Sequence, residues 1–425
     1  MSVTKESLEP GFSNPREYIS NTNIIFSDGK TVKNVSQVIL ELVIHQTMDS
    51  PYMYGHAIIS DTQSLISKFS MNGYEFLDIS YDRSTADSPI EGKFSIYLIS
   101  DRKPIQGGEV YKMHFCSRQS LISDSTIISK AYYRSAISDI VADILINYLD
   151  VPEKNIILEE TAGAYDIVVA DKRPFQAITW LASRAYNYNN DPAYAYHFYQ
   201  TRDGYTFTSL QSLFQQPVKK TYRYDLKLIS DTPNQTSDIR KNMNSILRMK
   251  VTRDFDTKRA LFSGSYSNQM TVVNLVNREF ETKVYSINDQ TDLLLNKHVN
   301  TNNPLLLDSP ACKETLYVKT PETKEEVSND VDIWMNNAIL HGNLCRTQKV
   351  FITVSGDLTV KPGDIVRLDM PLNTPPFENT KDFDEAKSGK YIVGDVSHIF
   401  REDGLFDTNI ELWTNSFAES LPSGI

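Results

Sequence analysis

The spacing of apolar and polar residues changes period along this chain. Val38-Ile-Leu-Glu-Leu-Val-Ile44 is a near-continuous apolar run rich in β-branched residues, the pattern of a strand buried on both faces. Phe94, Ile96 and Leu98 alternate with Ser95 and Tyr97, which predicts a strand with one face inward. Asp28-Gly29, Asn72-Gly73 and Gly107-Gly108 mark tight turns, because these pairs tolerate positive φ. Residues 20–118 therefore read as an antiparallel β region. The period then shifts to that of a helix. Ile137, Ile140, Val141, Ile144, Leu145, Tyr148 and Leu149 form one apolar stripe, with Ser135 as N-cap and Pro152 just past the end. A second helix is predicted from Pro174 to Tyr186, with strands around both helices, so this middle region is α+β. Leu247, Met249 and Val251 alternate with Arg248, Lys250 and Thr252 as an amphipathic strand. Val327, Val331, Trp334 and Ala338 set a helical stripe that should stop at His341-Gly342. The last part is β again, interrupted by a polar loop with three prolines over 371–388.

One layout recurs. A strand leads to Asp61, Leu65, a turn at Gly73, then Phe76 and Ile79. Near the other end a strand leads to Asp357, Leu358, a turn at Gly363, then Val366 and Leu368. Two antiparallel β units could share this layout by duplication or by chance.

Composition narrows the classes. The 425 residues suit two to four domains at about 100–200 residues each. The net charge of −11 disfavours a protein that wraps nucleic acid through its phosphates. Cys116, Cys312 and Cys345 are far apart and contain no CxxC pair, so reduced thiols in a protein made in the cytosol are expected. The N-terminal residues lack signal-peptide order, and no apolar run approaches the roughly 18–20 residues that span a bilayer.

The search for chemistry returns little. No GxxxxGK[ST], GxGxxG, HExxH or GxSxG pattern occurs, and the seven histidines lie too far apart for paired ligation on one helix. Carboxylates cluster at Glu159-Glu160, Asp254/Asp256, Glu325-Glu326 and Asp382/Asp384, and solvated surface is the better reading of such pairs in a chain with 54 acidic residues. The aromatic stretch from Tyr186 to Tyr199 has no interleaved basic residue, which favours packing over base stacking. Phe175, Trp180 and Trp334 are read as core. The expectation is a chain without catalytic residues, cofactor or metal. Asn373, Pro376, Phe377 and Phe383, in the late polar loop, are the candidate partner-binding residues.

Several segments together resemble the central baseplate hub protein of contractile-tailed, T-even-like bacteriophages. Tyr52-Met-Tyr-Gly-His-Ala-Ile-Ile-Ser-Asp61 followed by Asn72-Gly-Tyr-Glu-Phe-Leu-Asp-Ile79 looks like the hub's first barrel. Ser129-Lys-Ala-Tyr132 and Arg173-Pro-Phe-Gln-Ala-Ile-Thr-Trp-Leu-Ala-Ser-Arg-Ala185 resemble its helical middle segment. Phe198-Tyr-Gln-Thr-Arg-Asp-Gly-Tyr-Thr-Phe207 and Gly264-Ser-Tyr266 fit later elements. Leu358-Thr-Val-Lys-Pro-Gly-Asp-Ile-Val366 and Ser388-Gly-Lys-Tyr-Ile-Val393 with His398 resemble the closing barrel. The match rests on their joint order over some 350 residues.

The resemblance implies a mainly β fold with α+β insertions: two tail-tube-type antiparallel β-barrels plus two smaller domains. It implies a first barrel over 1–120, an α+β middle domain over 121–215, and a second barrel from 216–250 and 343–418. An inserted α+β domain would occupy 251–342 and a C-terminal tail 419–425. It implies a structural hub in a virion tail baseplate, made in the host cytoplasm, without stable membrane insertion. The hub is a homotrimer joining the hexameric tail tube protein to the trimeric central spike protein, in contact with other baseplate proteins. Any peptidoglycan hydrolysis would belong to another protein. DNA would pass through its channel during ejection without specific binding, repelled if part of the trimer's formal −33, three times −11, lines the wall. The alternatives are another tail-tube-type virion component, or a glycan-binding or glycan-cleaving β protein.

Overall fold

The computed structural model describes residues 19–82, 89–187, 194–224, 244–253, 256–275, 277–287, 294–296, 313–319, 331–370, 384 and 388–416. The late loop with Asn373, Pro376, Phe377 and Phe383 lies outside them.

The first barrel is built from β1 (Ile19–Ile25), β2 (Val32–Asn34), β3 (Ile39–Thr47), β4 (Tyr54–Asp61), the short helix α1 (Leu65–Lys68), β5 (Phe76–Asp82), β6 (Ile90–Ile105) and β7 (Gly108–Ser117). Its sheet runs β3-β4-β7-β6-β5-β1-β2 and rolls around Leu42, Ile44, Ile59, Leu77, Met113 and Phe115. In β3, Leu42 and Ile44 are buried inside the barrel and Val43 is buried among its strand neighbours, but the outer face also carries half-exposed Glu41 and His45, so the strand is covered on one face and not on both as its apolar run suggests. The one-face alternation expected for β6 fails at Leu98. A register shift between Ile96 and Leu98 turns Leu98 outward, 47% exposed, beside Tyr97.

The middle unit holds α2 (Arg118–Ser125), β8 (Ile128–Ser135), α3 (Ile137–Asp143), a π-helical turn over Ile144–Tyr148, β9 (Ile156–Leu158), β10 (Tyr165–Lys172), α4 (Pro174–Ala182), β11 (Tyr196–Thr201), β12 (Gly204–Ser209) and α5 (Leu210–Phe214). The apolar stripe from Ile137 to Leu149 is buried, but α3 starts after Ala136 rather than on a Ser135 cap, and its last turn widens to the π form. Pro174 opens α4, as its fixed φ favours. Tyr186, Tyr194, Tyr196 and Phe198 of the aromatic stretch are buried in the core around these helices.

The second barrel takes strands from two separated parts of the chain. β13 (Lys220–Arg223) and β14 (Ile246–Arg253) meet β18 (Gln348–Ser355), β19 (Ile365–Asp369), β20 (Gly389–Arg401) and β21 (Phe406–Thr414). The order is β14-β18-β21-β20-β19-β13, and the bridge between Arg223 and Ser245 brings β13 back to the start of β14. Val350, Ile352, Val366, Leu368, Ile410 and Leu412 fill it. Between β14 and β18 lie α6 (Thr257–Ser263), β15 (Ser267–Asn274), β16 (Glu279–Ser286), β17 (Glu314–Lys319) and α7 (Val331–Leu344). Met270, Val272, Val331 and Trp334 of this insertion join the core of the middle unit. Helix α7 does not stop at Gly342. It continues to Leu344, because Leu340 and Leu344 are both buried against Tyr266 and Ile287.

The two barrels are one sheet at their junction. β20 pairs antiparallel with β3 from Asp395↔Thr47 to Arg401↔Glu41. The result is mainly β, with two barrels that are antiparallel except where β13 runs parallel to β19, and two smaller α+β units, the fold class read from the sequence.

The repeated layout has a repeated geometry. Asp61 is the last residue of β4 and accepts hydrogen bonds from the Gln63 N–H at 2.8 Å and the Leu65 N–H at 2.6 Å. Asp357 sits just past β18 and accepts from the Thr359 N–H at 2.8 Å. Both carboxylates are 1% exposed. Gly73 and Gly363 then turn the chain at φ +93° and +89°, a conformation that favours glycine.

Candidate functional site

The candidate site is the outer face of the shared sheet. Its strand order is β14-β18-β21-β20-β3-β4-β7-β6, eight strands, and every neighbouring pair is antiparallel. Register places the outward residues in rows. One row crosses from Arg248 through Thr353, Asn409, Ser397 and His45 to Tyr54. The next runs from Ile399 through Val43 and His56 to His114 and Leu98. Their neighbours Leu42, Ile44, Ala57 and Met113 point into the barrel, since side chains alternate along a strand.

This register gathers three histidines that are 11 to 69 residues apart in sequence. The His45 ring stacks on Tyr54 at 5.0 Å, and the His56 and His114 rings lie 6.1 Å apart. His45 Nδ1 meets Ser397 Oγ at 2.8 Å and His114 Nε2 meets Ser100 Oγ at 3.1 Å. Burial, followed by the ammonium of Lys112, lowers the pKa of all three, that of His56 to about 4. The face therefore carries neutral imidazoles at physiological pH. Among the described residues no group of three or more His, Cys, Asp or Glu side chains is placed to hold a metal ion. Spacing along the chain could not reveal this ladder, because only cross-strand pairing brings its members together.

Charge is divided along the face. Lys349 Nζ bonds Glu411 at 2.7 Å, and Arg401 pairs with Asp407 at 3.0 Å and reaches Glu41 at 3.9 Å. Asp395 is raised to about 6 by burial and by the nearby carboxylates of Glu411 and Asp49. These anions lie on the inner strands β20, β21 and β3. Arg248 and Lys250 on β14, and Lys112 on β7, form no ion pair with another described residue. At the β14 end a hollow of about 400 Å³ opens among Arg248, Lys250, Phe351, Thr353, Arg401 and Asn409.

Both ends of the eight-strand sheet are open among the described residues. β14 pairs with β18 on one side and meets β13 only at Ser245, just before it begins, and its Arg248, Lys250, Val251 and Thr252 are exposed. β6 pairs with β5 only up to Ser95, so Tyr97–Ile105 is bonded to β7 alone. Unpaired edges of this length are templates for another strand.

Of the acidic candidates, Glu159 and Asp256 have structural roles, and Asp254, Glu325, Glu326 and Asp382 lie outside the described residues. Glu159 accepts hydrogen bonds from Thr208 Oγ1 at 2.7 Å and from the Ser209 N–H and Oγ at 2.7 and 2.9 Å. It lines a cleft of about 460 Å³ whose lysines, Lys219 and Lys361, are paired with Asp364 and Asp203. Asp256 caps α6 by accepting from the Arg259 N–H at 2.9 Å. Phe175 and Trp334 are buried. Trp180 is half-buried between Arg184 and Lys172, 4.3 and 5.4 Å from its ring. No helix of the described residues is long and apolar enough to cross a membrane.

No protein-family model matches this chain, and no curated protein sequence matches it. Solved structures do. A tail protein from Neisseria meningitidis MC58 superposes with a TM-score of 0.57 at 11% identity, over 93% of this chain and 97% of that one. The 43 kDa tail protein of prophage MuSo2 from Shewanella oneidensis superposes with a TM-score of 0.53 at 7% identity, over 92% and 97%. At these identities the likeness is one of fold, and it spans nearly the full length of all three chains: this protein has the fold of phage-type tail proteins.

Proposed function

We propose that this chain is the structural hub of a contractile tail baseplate. It acts as a non-catalytic homotrimer that adapts a hexameric tail tube to a trimeric central spike and forms part of the DNA channel. The observation that carries this reading is the eight-strand sheet shared by the two barrels, with one open edge at each end. Eight strands that are all antiparallel leave edges of opposite sense. The β14 edge of one copy therefore meets the β6 edge of the next in antiparallel sense, and the contact is heterologous, the kind that closes rings. Two barrels per chain then present six barrels from three copies, which suits a six-fold tube on one side and a three-fold spike on the other. The fold shared with two tail proteins supports the same reading. Turned toward the axis, the outer face of this sheet becomes the channel wall.

Mass photometry of the full chain tests it. The hub reading expects three times 48.4 kDa. A hexamer favours a tube-type component instead, and a monomer at micromolar concentration contradicts the reading. Turnover of peptidoglycan that is abolished by one carboxylate substitution would replace it with a glycan-cleaving enzyme.

A further inference from the structure

We propose that the seams between copies hold the phosphate backbone of double-stranded DNA, through Arg248 and Lys250 of one copy and Lys112 of the next. This rests on the trimeric reading above and adds a binding role to a wall that the net charge alone would make repulsive.

Most outer-face anions are on the central strands, where Glu411, Asp407 and Glu41 are held by Lys349 and Arg401; Asp101 on β6, beside His114, is the anion nearest Lys112. The cations without an ion partner among the described residues are at the ends. Arg248 and Lys250 project from β14, on the same face as Thr353 and Phe351 opposite them. Lys112 is on β7, one strand in from β6 and on the same face as Ile58. Within one chain these two groups are six strand steps apart, about 29 Å along the sheet at ~4.8 Å per step. Once β14 of a neighbour lies beside β6, they are two steps apart, about 10 Å. The basic cluster therefore exists only in the assembly, and once per seam.

The chemistry suits a phosphate backbone better than a peptide or a base edge. Arg248 and Lys250 are two residues apart on one strand, so both heads point the same way along a line. The hollow beside them has a polar floor: Thr353 Oγ1 donates to Asn409 Oδ1 at 2.8 Å, which leaves the Asn409 amide N–H groups to donate to an anion. Guanidinium, ammonium and amide donors on a shallow wall fit phosphate oxygens. The contact is therefore sequence-independent and sensitive to salt, and does not hinder passage.

The test uses the full chain, a fluorescein-labelled 30-base-pair duplex, and anisotropy from 20 to 300 mM salt, with mass photometry on the same samples. The assembly is expected to bind duplex, with affinity falling steeply as salt rises, because each neutralised phosphate releases counterions. Lys112→Gln, which is not on an edge strand, and the pair Arg248→Gln with Lys250→Gln should each weaken binding about ten-fold at 50 mM salt and flatten the salt dependence. Lys154→Gln, on an exposed turn of the middle unit, should leave both unchanged. A trimer that does not bind duplex at 20 mM salt overturns the proposal and leaves the hub reading standing. So do trimeric variants that bind as well as the parent, or a duplex displaced by polyglutamate at equal charge. A chain that stays monomeric overturns the hub reading itself.

Discussion

Asp61 and Asp357 occupy the same place in the two barrels and do different amounts of work. Each is a buried carboxylate at a strand end that takes the N–H of the residue two positions on. Asp61 adds only one more backbone N–H, from Leu65. Asp357 also takes Lys220 Nζ at 2.5 Å and Tyr222 Oη at 2.6 Å, both on β13, and Thr359 Oγ1 at 2.6 Å. The first barrel is one continuous piece of chain, so its acid needs only to shape a local turn. The second barrel receives β13 from before a long insertion, and its acid fixes that strand in place. The same local motif becomes a long-range tie where the chain is interrupted.

The difference is largest in Asp357→Ala. It leaves a half-buried ammonium and a buried phenol without their acceptor, and we expect a loss of about 3–5 kcal/mol in urea unfolding. Asp61→Ala removes two hydrogen bonds to backbone and should cost about 1–3 kcal/mol. Equal losses would remove the contrast. Tyr222→Phe should cost about 1–2 kcal/mol, since the hydroxyl is lost together with the hydrogen bond it makes.

Acid gives a further reading. Burial pushes the Asp357 carboxyl up, but Lys220, Thr359 and Tyr222 outweigh it and hold the pKa at about 2, below the usual 3.8. Its stabilisation is therefore complete above pH ~4 and is lost between pH ~4 and ~2. In Asp357→Asn that acid-dependent segment of the stability curve should flatten. His398 acts in a different window. Burial, followed by the cation of Arg202, depresses its pKa from 6.5 to about 3. Its neutral form supports the fold above pH ~6.5, and stability declines as pH falls below that. In His398→Gln the decline between pH 6.5 and 4 should shrink, as read by unfolding curves at fixed pH.

What the sequence reveals follows from what is local. The stripe of Ile137–Leu149, the start of α4 at Pro174 and the paired Asp–Gly layouts are legible, because period, proline and turn chemistry act over a few residues. The bulge that turns Leu98 outward is not, because it is set by the register with β7. Nor is the passage of α7 through Gly342, which depends on burial of Leu340 and Leu344 against distant residues. The histidine ladder and the two open sheet edges are equally hidden, since both arise from strands that lie side by side only after folding. Asn373, Pro376, Phe377 and Phe383 lie outside the described residues.

Hydrogen–deuterium exchange on the full chain, in the assembled form and after dilution to dissociated chains, tests the edge-to-edge ring most directly. The account predicts that β14 over 247–251 and β6 over 97–105 are protected together in the assembly and exchange faster once it dissociates, while the central strands β3 and β20 change little. Equal exchange at both edges in the two states, with protection gained elsewhere, would contradict it.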